Sequence, residues 1–210
     1  ALAACTTCGL AAAAAFFALR RQGRRLAARK KSTLAVAPKD LKSKYSFFIS
    51  AYVPRPIALV SSVSQSGNVN LAPFSYSGIV NHDPGTLIFS CVDKGKDGGD
   101  TLKNVKESKQ FVVHIVSESY LNKANHTSGN FPEDVNEFVE AGLTQLDSHV
   151  VRPPRAAEAD LAFECKLLQL IPLKNETGKV TATMVVGTIV LIHVHPDVFD
   201  AETHTVIPHK

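Results

Sequence analysis

Two runs toward the C-terminal end, LAFECKLLQLIPL (161–173) and TATMVVGTIVLIHVH (181–195), are separated by little more than the turn-rich KNETGK. Each is apolar and rich in branched side chains over a dozen residues, so the pair reads as one long antiparallel hairpin. That hairpin commits the chain to a sheet with antiparallel neighbours. Gly187, inside the second arm, marks a bulge or the close approach of another group.

The rest of the pattern agrees. RPIALVSSVS (55–64), the turn QSGN and VNLAPFS (69–75) make a second hairpin, and TLIFSCV (86–92) and QFVVHIV (110–116) are short apolar strands. Between the latter two, DTLKNVKES reads as a helix with Asp100 as its N-cap. VNEFVEAG puts Val135, Phe138 and Val139 on one helical face and stops at Gly142, a C′ residue. The count is about six strands with short helices inserted and no βαβ alternation, which predicts a mainly β protein built as a small antiparallel barrel. No GxGxxG, GxxxxGKS, HExxH or GxSxG motif occurs, so a Rossmann-type dinucleotide domain is not expected.

The net charge of +4 over 210 residues is uneven: residues 1–39 carry eight Lys or Arg and no acid, leaving 15 basic against 19 acidic residues beyond them. An acidic body does not point to nucleic acid. Residues 1–39 read as a leader or disordered extension, of transit-peptide or weak signal-anchor type, ahead of a domain over 40–210. The expected location is intracellular, cytoplasmic or organellar if that leader is a transit peptide, with no membrane contact by the body. Cys5 and Cys8 lack a second pair for zinc, and Cys91 and Cys165 sit in apolar runs as buried small hydrophobes.

Three stretches carry candidate chemistry. Ser61, Ser62 and Ser64 end the first strand; on spacing alone they are the solvent face of a half-buried strand, and alternatively a polar ligand rim. In NVNLAPFSYSGIVNHDPGTLIFS (68–90) the small or restricting residues Asn70, Ala72, Pro73, Ser75, Ser77 and Gly78 occupy the middle, either as an irregular loop or as room for something flat. DKGKDGGDTLKN (93–104) runs a Gly-rich loop with Lys94 and Lys96 into a helix start, a phosphate seat unless Asp100 merely caps the helix and the lysines are solvated. A rival metal site would use His193 and His195 with Asp197, Glu202 or His204, but no third ligand has fixed spacing. No metal is expected on balance.

In order along the chain, PRPIALVSSVSQSGNVNLAPFSY, DPGTLIFS, DTLKNVKESKQFVVHIV, VNEFVEAGLT and PPRAAEADLAFEC resemble the flavin reductase-like, FMN-binding split-barrel family, over roughly Tyr52 to His195. The resemblance implies a six-stranded Greek-key split β-barrel forming a homodimer, with FMN at the subunit interface. Val60, Ser61, Ser62, Asn70, Leu71, Ala72, Pro73 and Ser75 would face the flavin, Thr101 and Lys96 would hold its phosphate, and Arg55 would meet a phosphate, a flavin carbonyl or a partner carboxylate. The implied activity is that of an FMN-dependent oxidoreductase, an NAD(P)H:flavin reductase supplying reduced flavin to a partner oxygenase. The alternative is a non-catalytic FMN-binding protein. No catalytic side chain is singled out, because flavin hydride chemistry needs position more than a protein acid or base, and His82, His114 and His126 read as core or surface imidazoles. Family members continue with a basic, Gly-rich segment where this chain has VIPHK, so the domain is expected to be truncated there.

Overall fold

The computed structural model describes residues 34–93 and 99–207. The chain divides into two units, Ala1–Tyr52 and Val53–Lys210. Most of the expected leader, Lys94 and Lys96 lie outside the described residues. In the first unit, Ser43 caps helix α1 (Lys44–Ala51), its hydroxyl accepting the Ser46 backbone N–H at 3.1 Å. No residue of α1 is buried.

The second unit holds a seven-stranded sheet of β1 (Ala58–Val63), β2 (Val69–Phe74), β3 (Ser77–His82), β4 (Gly85–Val92), β5 (Gln110–Ile115), β8 (Leu161–Lys174) and β9 (Val180–Val194). Two small two-stranded pairs complete the strands: β6 (Gln145–Leu146) with β7 (Arg155–Ala156), and β10 (Phe199–Asp200) with β11 (Thr205–Val206). The sheet order is β2-β1-β5-β8-β9-β4-β3, with every neighbour antiparallel. Its outermost strands, β2 and β3, are consecutive in the chain and joined only by Ser75 and Tyr76. Laid flat, seven strands would hold those edges about 29 Å apart, yet the link from Phe74 to Ser77 reaches at most about 11 Å. The sheet must therefore curl until its edges meet. Phe74 of β2 accordingly packs on Phe89 of β4, ring centroids 4.9 Å apart.

The strand count is seven rather than the expected six because β3 was not foreseen as a strand. The QSGN turn and the long β8–β9 hairpin form as expected, with Gly67 at φ +95° and Gly178 at φ +81° taking the left-handed positions that favour glycine. Helix α2 spans Gly99–Ser108, so Asp100 lies within its first turn instead of capping it. Helices α3 (Leu121–His126) and α4 (Glu137–Glu140) follow β5. Asn136 caps α4 through a bond from the Phe138 N–H, and Gly142 follows it at φ +62°. The expected apolar face of α4 is only partly right: Phe138 is fully buried, but Val139 is exposed.

Alternation along the strands makes two apolar layers. Ala58, Val60, Leu87, Phe89, Phe111, Val113, Phe163, Cys165 and Val185 fill the barrel, with Leu102 and Val105 of α2 packed among them. Leu59 and Leu71 point the other way, against Tyr120, Ala124 and Phe138. β1 is buried along its whole length, so its apolar residues do not alternate with exposed polar ones.

Candidate functional site

Pairing of β1 with β2 sets Ser62 opposite Asn70, Ser61 opposite Leu71, Val60 opposite Ala72 and Leu59 opposite Pro73. Cross-strand partners share a face, so the candidates divide into two groups. Val60, Ser62, Asn70 and Ala72 belong to the barrel side, while Ser61, Leu71 and Pro73 belong to the outer side.

On the outer side, the reading of Ser61 as a solvent-facing hydroxyl fails, because residues 147–156 cover that face. Ser61 is fully buried and its hydroxyl donates to Pro154 O at 2.6 Å. The same covering segment is held by His114 and Glu164. His114 donates through Nδ1 to Leu59 O (2.8 Å) and accepts the Ala156 N–H at Nε2 (2.9 Å), which makes it a neutral imidazole. Burial lowers its pKa to about 4. Glu164 accepts the N–H groups of His149 (2.7 Å), Val150 (2.6 Å) and Val151 (3.0 Å) and faces His193 Nε2 at 2.6 Å. Desolvation pushes its carboxyl up, but these hydrogen bonds outweigh it and hold the group below its usual range. Ser61, His114 and Glu164 are thus fasteners for one covering segment.

On the barrel side, four polar side chains meet. Asn70 Nδ2 donates to Thr101 Oγ1 at 2.8 Å and reaches Ser62 Oγ at 3.4 Å, and Asn104 Nδ2 donates to Ser62 Oγ at 3.1 Å. All four are buried. Asn104 Oδ1 has no hydrogen-bond partner among the described residues, and a sealed amide oxygen without a donor is an uncommon and costly feature. Thr101 and Asn104 lie three residues apart on one face of α2, at and just beyond its first turn, where unpaired N–H groups and the positive end of the helix dipole favour an anion.

Ala72, Pro73 and Ser75 are half-buried and lead into the link that closes the barrel, and Arg55 is half-buried ahead of β1. The side chains of Val60 and Leu71 are fully enclosed in the two apolar layers. Sequence reasoning missed Asn104, although its i, i+3 spacing from Thr101 was there to be read. The two histidines of the suggested metal cluster are otherwise engaged: His193 faces Glu164, and His195 Nδ1 accepts the Asp197 N–H at 3.3 Å. Among the described residues no group of three or more His, Cys, Asp or Glu is placed to hold a metal. Nor is any described helix long and apolar enough to cross a membrane.

Comparison with known proteins connects this geometry to a family. Residues 50–206 match the flavin reductase like domain. A protein of Aquifex aeolicus is 38% identical over 162 residues, covering 77% of this chain and 80% of its own. Among solved structures, nitrilotriacetate monooxygenase component B from Bacillus cereus superposes with a TM-score of 0.80 at 31% identity, over 86% of this chain and 89% of that one. The 2-nitrobenzoate 2-nitroreductase NbaA of Pseudomonas fluorescens does so at 0.71 and 29% identity, covering 83% of each chain. With a curled antiparallel sheet whose outermost strands are joined by two residues, and a family match spanning most of its length, the chain belongs to the flavin reductase-like split-barrel family.

Proposed function

We propose that the protein is an FMN-dependent oxidoreductase, an NAD(P)H:flavin reductase that acts as a homodimer and supplies reduced flavin to a partner oxygenase. The observation that carries this reading is the buried Ser62–Asn70–Thr101–Asn104 cluster at the start of α2, directly after a Lys- and Gly-rich stretch of sequence. The likeness to a protein named as component B of a monooxygenase supports the oxygenase partner.

The residues fit a flavin mononucleotide. Asn104 Oδ1 is a buried acceptor awaiting a donor, Thr101 and Lys96 would hold the phosphate at the helix start, and Ala72 and Ser75 offer small side chains where a flat ring needs room, while Pro73 faces the other side of β2. When bound, the flavin supplies the hydride chemistry. The chain's own contribution is to bind, orient and exclude water, because none of the four cluster side chains ionises and the nearby His114 is committed to Leu59 and Ala156. Exposed Ile79 and Val80 on β3 and Val190 and Ile192 on β9 are apolar surface of the kind a second copy would cover.

The test is to purify the full chain, record flavin absorbance near 450 nm, and follow NADH and NADPH oxidation with added FMN. Oxidation that depends on FMN is the expected result. Tight FMN binding with no nicotinamide oxidation would establish the non-catalytic alternative, and absence of flavin binding would overturn both.

A further inference from the structure

We propose that Asn70 is a positioning residue: it fixes the direction in which the Thr101 hydroxyl donates, and so sets the preference of the site for a phosphorylated flavin over its unphosphorylated analogue. This rests on the flavin reading above.

An amide NH₂ group donates only, so the 2.8 Å bond from Asn70 Nδ2 occupies Thr101 Oγ1 as an acceptor. The Thr101 proton must then point away from Asn70. Asn70 itself has little freedom, because its backbone pairs with Ser62 and its amide also reaches the Ser62 hydroxyl, which Asn104 Nδ2 holds from the other side. Thr101 is 3% exposed and sits in the first turn of a ten-residue helix. An O–H turned away from Asn70, polarised by the donor behind it, suits an oxygen that only accepts, as on a phosphate. Asn104 Oδ1, without a partner among the described residues, shows independently that the cluster is incomplete as it stands. The amide that the family resemblance sets against the flavin is thereby spent inside the protein, and its effect reaches the ligand through Thr101.

Fluorescence titration of FMN and of riboflavin into the full-length wild type, Asn70→Ala, Thr101→Val and the double variant tests this. Asn70→Ala is expected to weaken FMN by about tenfold, the worth of one charge-assisted hydrogen bond, while riboflavin changes little. In the Thr101→Val background, Asn70→Ala should leave the FMN-to-riboflavin ratio where Thr101→Val put it. Equal losses for both flavins, or additive effects on the ratio, would show a merely structural role and overturn the proposal. If circular dichroism shows Asn70→Ala unfolded, the near-isosteric Asn70→Asp replaces it: an acceptor there draws the Thr101 proton inward, so the ratio should fall, and an unchanged ratio overturns the proposal. A wild type that binds neither flavin removes the functional reading itself, whereas an FMN preference that survives both Asn70 variants removes only this inference.

Discussion

The carboxylate of Glu137, at the start of α4, accepts the backbone N–H of Leu71 at 2.9 Å. Leu71 lies on β2, an outermost strand of the sheet, and its N–H points away from β1. Two residues on, Pro73 has no N–H to satisfy. The free edge of β2 is therefore closed by one side chain and one missing donor, two of the devices by which sheets protect their edges.

Removing that acceptor should cost stability. Glu137→Ala leaves a buried N–H unpaired and is expected to lower the unfolding free energy by about 1–3 kcal/mol, whereas Glu137→Gln keeps an acceptor and should recover most of it. Denaturant unfolding of the three proteins decides; equal stability of wild type and Glu137→Ala would remove the edge-closing role.

His114 makes stability depend on pH. Its pKa falls from 6.5 to about 4 on folding, chiefly through burial. The unfolded state therefore binds the proton more readily between these values, so the contribution is fully present above 6.5 and is lost as pH falls from 6.5 through 4. The loss is on the order of 3 kcal/mol. His114→Gln, which cannot titrate, should flatten the stability profile across that window; an unchanged slope in urea titrations between pH 4.5 and 7 would contradict the assignment.

Gly187 is required by its neighbour. A Cβ there would fall on the Phe111 ring, which is fully buried and lies against Phe89 at 5.3 Å between ring centroids. Gly187→Ala should cost about 1–3 kcal/mol through overpacking. Because the cause is one contact, combining it with Phe111→Leu should cost less than the sum of the two single changes, and strict additivity in thermal melts would point to a different cause.

Ala72 tests the room left for a ring. It is half-buried on the barrel side of β2, so Ala72→Phe should fold and lose flavin binding together. A folded variant with unchanged FMN affinity would take this stretch out of the site, and an unfolded one would make Ala72 a core residue.

Much of this protein was legible in its sequence because local chemistry decides it. The two hairpins follow from short apolar runs flanking QSGN and KNETGK, where Gly67 and Gly178 supply turn geometry open to few other residues. Gly187 announced a bulge or a close approach, and the structure shows the close approach; the chained motifs from Pro54 to Cys165 pointed to the family. Tertiary structure alone decided what depends on distant pairing. Ser77–His82 carries no alternation that marks it as a strand and becomes β3 because β4 lies beside it. Ser61 and Ser62 are adjacent and alike in sequence, yet one fastens a covering segment 93 residues away and the other joins a polar cluster with α2. Val139 fits the apolar face of its helix, yet it is exposed. Periodicity along a chain says which residues share a face; only the closing of the barrel says what that face will meet.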